Sequence, residues 1–476
     1  MIIASFSLFL FLFVIIGVLS GLKSKKSKQD YFLASNHEKP WMIALSAVAT
    51  NNSGYMFIGV IGYTYIHGLA VIWIFIPLII GDFCASLFAF KNIRLASART
   101  KSISFAQTLG AWSGVEFKIV RILSALILTI FLAVYAGAQL RAGGKAMHIL
   151  FGWGYDAGAI IGALIVLIYC FAGGIRASIW TNTAQSFVMI FSMAVLFFMA
   201  LNYQGGVANF IEGLYTLDKQ PNSADYLSLF PHNSLDNKFL ALGLFMFGWF
   251  FGGFGIIGQP HIMTSFMAMA KPEHIKKIRV YYYSWYVVFY ILTILTGLIS
   301  RVLIENYAGY DPELSLPILA KLVLPDFLIG FILAGIFSAT MSTADSQILC
   351  CSSALTNDLI KPRNNGYLIA KIATVVITLI TLIIALIDNQ SVFSLVMYGW
   401  LALACSFTPV IVIYSMEKNP SQSLLITTMI IGFGSMMIWR VIGWGDIVYE
   451  AGIGISCAML YYLLWKLMKL FINGNR

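Results

Sequence analysis

Charge is what this sequence is short of. Only 11% of its 476 residues are Asp, Glu, Lys or Arg, against roughly 25% in soluble globular domains, and that excludes a water-soluble globule. Cysteine is scarce as well: Cys84, Cys170, Cys350, Cys351, Cys405 and Cys457 show neither metal-ligand nor disulfide spacing and read as packing thiols. The six histidines form no His/Asp/Glu metal set and no Ser-His-Asp grouping, which argues against a membrane enzyme. Linkers and low-complexity blocks are missing too. The longest external loop, 202–238, is too short for a separate domain.

What fills the chain is apolar: 59% hydrophobic residues and a mean hydropathy of +0.84. Spans of about 20 residues divide it into about thirteen transmembrane helices, so the expected fold class is an all-α integral membrane protein in a lipid bilayer. The net charge of +10 is a matter of topology. Lys23, Lys25, Lys26 and Lys28, then Lys91, Arg94, Arg99 and Lys101, then Lys271, Lys276, Lys277 and Arg279, then Lys361 and Arg363, and finally Arg476, fall in alternate loops or the tail. The positive-inside rule makes these loops cytoplasmic, with the N-terminus outside and the C-terminus inside. No nucleic acid is implied. His261 and His274 are expected in one of these loops. Segment 2–21 lacks a basic lead and a small-residue cleavage site, so a retained anchor helix is expected rather than a signal peptide. A bacterial inner membrane is the expected location.

Two apolar spans are interrupted. Ala49-Thr50-Asn51-Asn52-Ser53-Gly54 breaks the span that opens at Trp41, and Ala339-Thr340-Met341-Ser342-Thr343-Ala344-Asp345-Ser346 lies within 326–354. Backbone and polar groups at such depth are tolerated where protein, ion or solute satisfies them, so a buried site for an ion and a polar solute is predicted. Five helices after the first break comes the glycine-rich run Gly248 to Gly258. It reads either as close helix packing or as a second discontinuous helix. An odd separation inverts the second unit relative to the first, which is the trace of an inverted repeat.

Several motifs occur in order. They are Ala44 to Gly54; Gly173-Gly174-Ile175-Arg176-Ala177 with Trp180-Thr181-Asn182; Gly258-Gln259-Pro260-His261; Met341-Ser342-Thr343-Ala344-Asp345-Ser346-Gln347; and Tyr398-Gly399-Trp400 with Phe407-Thr408-Pro409. Together they resemble the sodium:solute symporter family, in particular its sodium/proline-like branch, over essentially the whole chain. The resemblance implies a five-plus-five inverted repeat with discontinuous first and sixth core helices. It divides the chain into an extra helix and loop (1–40), a first repeat (41–201), an external loop (202–238), a second repeat (239–415) and two C-terminal helices with a short tail (416–476). Function as a monomer is expected.

Carried over by residue, the resemblance implies a site for Na+ as coupling ion. It is formed by the backbone carbonyls of Ala49, Asn52 and Ala339 and the hydroxyls of Ser342 and Thr343. Neutral oxygens suffice for a monovalent ion that must also be released. Asn51 and Asn182 stand where the family commonly has acids, while Asp345 adds an acid one turn from the hydroxyl pair. A second sodium is implied at Asn182, Ser342, Asp345 and Ser346. Solute candidates are Asn51, Ser53, Gly54, Tyr135, Gly252, Gly253, Ile256, Gln259, Pro260, Tyr398 and Trp400. Gly252 and Ile256 replace aromatic residues of the proline carriers, so an enlarged, greasier pocket is expected. The implied function is sodium-coupled import of a small solute, first an amino acid such as proline and next a monocarboxylate or sugar acid. Proton coupling through Asp345 or Asp82 is a rival, although Asp82 reads slightly better as a structural anchor. A membrane solute sensor is the non-transport rival, disfavoured by a tail too short for a signalling domain.

Overall fold

The computed structural model describes residues 1–223, 225–231, 235–304, 311–360, 366–387 and 392–474. Lys361, Arg363 and Arg476, counted above among the basic residues, lie outside them, as do 224 and 232–234 of the external loop. Among the described residues the chain is helical throughout, with one isolated bridge between Glu38 and Met269.

The helices used below are α1 (Ile2–Gly21), α2 (Pro40–Asn51), α3 (Ile61–His67), α4 (Ile72–Ser86), α5 (Lys118–Phe151), α6 (Tyr155–Gly173), α7 (Ile175–Tyr203), α8 (Lys238–Phe254), α9 (Pro260–Met267), α10 (Ile275–Leu303), α11 (Asp326–Ala354), α12 (Gly366–Ile387), α13 (Val392–Met416), α14 (Gln422–Ile442) and α15 (Glu450–Gly474). Twelve helical runs among the described residues are long and apolar enough to cross a membrane by length and composition. The remaining expected span, 41–62, is the broken one. Its first half is only α2, and its second half runs on into α4 within the stretch Tyr55–Thr100.

Sequence dictates where these helices start and stop. Pro40 opens α2 at a position whose N–H would be unpaired anyway. Asn237 caps α8 by accepting from Phe239 N and Leu240 N, both at 3.1 Å. Gly174, at φ +58°, turns the chain directly from α6 into α7. A Cβ there would also lie 2.3 Å from the Tyr31 carbonyl, so only glycine fits.

In the centre stands α11, buried along nearly its whole length, with α5, α7 and the broken α2 against it. α1, α14 and α15 sit at the periphery, with much of their apolar surface exposed. α4 and α8 approach backbone to backbone: a Cβ on Gly253 would lie 1.8 Å from Leu78 O, and one on Gly81 would lie 2.0 Å from Phe250 O. Small residues permit this closeness in a bilayer, where dispersion and backbone contact replace a hydrophobic driving force.

Arg176, the second residue of α7, locks the N-terminal segment to the core. Its guanidinium donates to Asp30 Oδ1 at 2.7 Å, Glu38 Oε1 at 3.2 Å and the carbonyls of Lys23 and Ala34. Trp180 Nε1 donates to the other oxygen of Glu38 at 3.0 Å. Burial opposes ionisation of Asp30, but hydrogen bonds from Ser35 Oγ and Lys25 N together with the Arg176 charge outweigh it and hold the carboxyl below its usual value.

The glycine contact yields a direct test. Gly253→Ala must push α4 and α8 apart, and overpacking of this kind costs about 1–3 kcal/mol. Gly243→Ala, with open space at its Cβ, should be neutral or gain about 0.5–1 kcal/mol in helix propensity. Thermal unfolding midpoints in detergent should fall for the first variant and hold or rise for the second.

Candidate functional site

The first break lies between α2 and the wide turn Tyr55–Val60 that leads into α3. Asn52 leaves helical geometry at φ −95°, ψ 71°, so the last carbonyls of α2 lose their helical partners. Hydroxyls of α11 take those partners' place. Ser342 Oγ donates to Ala49 O at 3.1 Å, and Thr343 Oγ1 donates to Thr50 O at 2.9 Å. Both hydroxyls also lie within 3.2 Å of Ala339 O in their own helix. Oxygens of Ala49, Thr50, Ala339, Ser342 and Thr343 therefore converge in a fully buried spot. Each hydroxyl can turn a lone pair toward a cation and release its donated bond, so the cluster offers hard, neutral oxygens for a monovalent ion. Asn52 sits beside it with its Nδ2 on Val48 O at 2.8 Å and a buried Oδ1 that has no partner. The Thr50 carbonyl had no place in the expected ligand set; its position inside the polar interruption was the signal for it.

A second cluster adjoins the first. Asp345 Oδ1 accepts from Ser178 Oγ at 2.9 Å, Ser346 Oγ at 2.9 Å and Asn182 Nδ2 at 3.2 Å, while Oδ2 accepts from Tyr169 OH at 2.9 Å. Asn182 Nδ2 also lies within 3.3 Å of Thr50 Oγ1, Ser178 Oγ, Ser342 O and Ser346 Oγ. An amide nitrogen has two protons to share among these five oxygens, and Asn182 Oδ1 is buried without a partner. Thr50 belongs to both clusters, its carbonyl to the first and its hydroxyl to the second. Ser178, Tyr169 and Thr50 were not anticipated here.

The second discontinuity follows α8. Gly255–Gly258 tightens into a single narrow turn, Gln259 is extended, and Pro260 starts α9. α13 holds both sides of this break. Trp400 Nε1 donates to Gly252 O at 3.1 Å, Thr408 Oγ1 to Gly255 O at 3.3 Å, and Gln259 Nε2 to Trp400 O at 2.9 Å. His261, expected in a loop, is fully buried in α9, its ring 5.7 Å from that of Tyr135. The apolar run ends at Gly258 because the helix breaks there, while the chain stays in the core.

Between the two breaks lies a tight cavity of about 30 Å³, room for one or two waters as the side chains stand. Asn51, Tyr135, Gly252 and Trp400 line it as expected residues; Tyr55, Tyr286, Tyr290, Trp249 and Tyr449 add aromatic walls, and Leu78, Val396 and Met397 add apolar ones. The pocket is not the enlarged one anticipated from Gly252 and Ile256, because Tyr449 and Trp249 fill the space. Ser53, Gly54, Gly253, Ile256, Gln259, Pro260 and Tyr398 do not line it. Ser53 Oγ accepts from Tyr55 N at 3.2 Å, and Gly54 N donates to Gln139 Oε1 at 2.9 Å. Gly253 serves the α4–α8 contact, and Tyr398 packs on Phe131 beneath Arg440.

Asn51 is aimed by a relay. Its Nδ2 donates to Tyr282 OH at 2.7 Å, and Tyr282 and Tyr283 donate to the two oxygens of Asp82 at 3.1 and 2.8 Å. Asp82 thus anchors α10 and positions Asn51 from outside the cavity. Tyr282→Phe should raise the KM for solute about three- to tenfold, the worth of one buried hydrogen bond. Half-saturation by the coupling ion should move less than about twofold, since the oxygen clusters are untouched. Initial uptake rates at varied solute and ion would check both.

A family model described as "Sodium:solute symporter family" matches residues 31–432. The sodium/proline symporter of Salmonella typhimurium is 28% identical over 98% of this chain and 92% of its own. The high-affinity proline transporter PutP of Bacillus subtilis is 27% identical over 92% of each. Among solved structures, a substrate-bound, outward-open Na+-coupled sialic acid symporter, described as revealing a novel Na+ site, superposes with a TM-score of 0.80 at 18% identity, covering 97% of this chain and 96% of that one. Mhp1, a nucleobase-cation-symport-1 family transporter, gives 0.59 at 12% identity over 90% and 92%.

Proposed function

The chain belongs to the sodium:solute symporter family, a family of transporters rather than enzymes, and from that premise we propose that this sodium-coupled symporter imports proline or a closely similar neutral amino acid. The observation that carries the solute class is the cavity lining, which holds tyrosine, tryptophan, an amide and aliphatic groups but no acidic or basic side chain among the described residues. A zwitterion brings its own countercharge, and the short aliphatic ring of proline suits aromatic walls. A monocarboxylate or sugar acid would bury a net negative charge with no cation in the lining to pair it. The curated relatives named above are proline transporters at 27–28% identity, which supports the same reading.

The mechanism follows from the two breaks. Sodium binds among the oxygens of Ala49, Ala339, Ser342 and Thr343, with Asn52 and Thr50 as the neighbouring carbonyls. By joining α2 to α11 it fixes the half-helix that carries Asn51 and so raises solute affinity. Coupling of this kind is reciprocal, so solute raises sodium affinity by the same factor. The occupied protein then rocks inward, and low internal sodium favours release. An inside-negative membrane contributes about 2.3 kcal/mol per charge per 100 mV. The same reading orients the chain with its N-terminus outside, its C-terminus in the cytoplasm of a bacterium, and one chain as the transporting unit. A second sodium beside Asp345, Ser346 and Asn182 fits the surplus of oxygens around the Asn182 amide.

Proteoliposome uptake of labelled proline should require a sodium gradient and be lost in Ser342→Ala with Thr343→Ala. Uptake that follows a pH gradient and ignores sodium would overturn the coupling; sodium-driven uptake of a carboxylate in preference to proline would overturn the solute. Asp345→Asn separates one ion from two. If the second site is real, the number of sodium ions per solute falls by one; an unchanged stoichiometry with a lowered unfolding temperature reduces Asp345 to a structural anchor.

A further inference from the structure

A second, larger cavity lies outside the first. It is bordered by Tyr63 and His67 at the end of α3, by Ser394 of α13, and by Arg440 and Glu450 at the facing ends of α14 and α15. Three residues, Trp249, Met397 and Tyr449, line both cavities. They form the wall between them. Two come from broken or adjoining core helices, but Tyr449 comes from the connection between the two C-terminal helices, outside the ten-helix core.

Tyr449 is seated there with unusual closeness. A Cβ on Gly248 would lie 2.6 Å from Tyr449 N and 2.8 Å from its Cβ. One turn further along α8, a Cβ on Gly252 would lie 2.9 Å from Tyr449 Cε1. The two glycines thus make a slot, the first for the backbone of Tyr449 and the second for its ring. Trp249, between them in sequence, stacks on that ring with centroids 4.4 Å apart and planes 10° from parallel. The Tyr449 hydroxyl reaches Met397 Sδ at 3.4 Å, which closes the wall on the α13 side. The segment that carries it is tied down as well: Trp439 Nε1 donates to Val448 O at 3.0 Å, and Arg440 faces Glu450 at 3.9 Å.

We propose that Tyr449 is the residue that closes the solute cavity toward the outer chamber and limits the size of solute admitted, so that an accessory segment, set in a slot of two glycines, supplies a ring that the broken sixth helix itself lacks. The assignment of a solute to the inner cavity rests on the function proposed above; the closure does not. With Tyr449 in place, the inner cavity is drawn down to about 30 Å³. Without the ring, inner and outer cavities merge, and longer side chains gain room beside Gly252.

The closure is tested without any solute. Val396, which lines the inner cavity and not the outer one, is replaced by cysteine in the full chain, and its reaction with a membrane-impermeant thiosulfonate is followed, with the six native cysteines as background. Tyr449→Ala should speed labelling of Val396→Cys at least about tenfold, the scale of one lost aromatic contact. Tyr449→Phe should leave labelling slow, because the ring and not the hydroxyl blocks the path. Equal rates with and without the ring overturn the proposal. Should Tyr449→Ala fail to fold, shown by loss of a monodisperse peak in detergent, Tyr449→Leu replaces it under the same criterion. The selectivity arm uses competition against sodium-driven proline uptake: phenylalanine and leucine should compete at least about tenfold better in Tyr449→Ala, with the sodium half-saturation within about twofold. If the parent chain does not carry proline, the proposed function fails while the labelling result still decides the gate.

Discussion

A carbonyl released from a helix inside a bilayer has no water to turn to, and everything distinctive about this molecule follows from where its released carbonyls go. At the first break they go to Ser342 and Thr343 of α11; at the second they go to Trp400 and Thr408 of α13. These bonds are weak enough to exchange and stringent enough to locate. A hydroxyl that satisfies a carbonyl in one arrangement can share it with a cation in another, so the groups that make the breaks tolerable are those best placed to bind an ion. Stability and the proposed sodium binding draw on the same oxygens.

The two breaks serve different ends. The first gathers oxygen atoms; the second leaves a space and surrounds it with rings. Asn51 stands where they meet, at the last turn of α2 and in the wall of the cavity. Its orientation is set by Tyr282 and, through it, by Asp82 on α4. An acidic residue deep in a span thus acts by aiming a neutral one.

The sequence made the oxygen side of this arrangement legible. Asn51 to Gly54 and Ser342-Thr343 stand out because polar residues are costly in an apolar span, and their order along the chain carried the fold. The aromatic side was far less legible. Tyrosine and tryptophan are at home in membrane helices at many positions, so nothing in the composition of α10 marks Tyr286 and Tyr290 as wall and Tyr281 as exposed. Gly252 was read as a missing ring, which was sound locally; that Tyr449, almost two hundred residues later, fills the space could emerge only from three-dimensional packing. His261 was assigned to a loop because the hydropathy falls after Gly258, although a helix that breaks and resumes gives the same fall.

The lock around Arg176 bears on how such a chain is made. Asp30 and Glu38 are synthesised some 146 and 138 residues before the guanidinium that pairs with them. In the proposed topology the chain crosses the membrane four times between them and Arg176: once through the broken α2–α3 unit, then through α4, α5 and α6. Four crossings return it to the side it left, and three or five do not. A ribosome-bound chain in which one span failed to insert would deliver Arg176 to the wrong face and leave two buried acids without a cation. In that topology the lock closes only after an even number of crossings, little more than a third of the way along the chain and before the second broken helix.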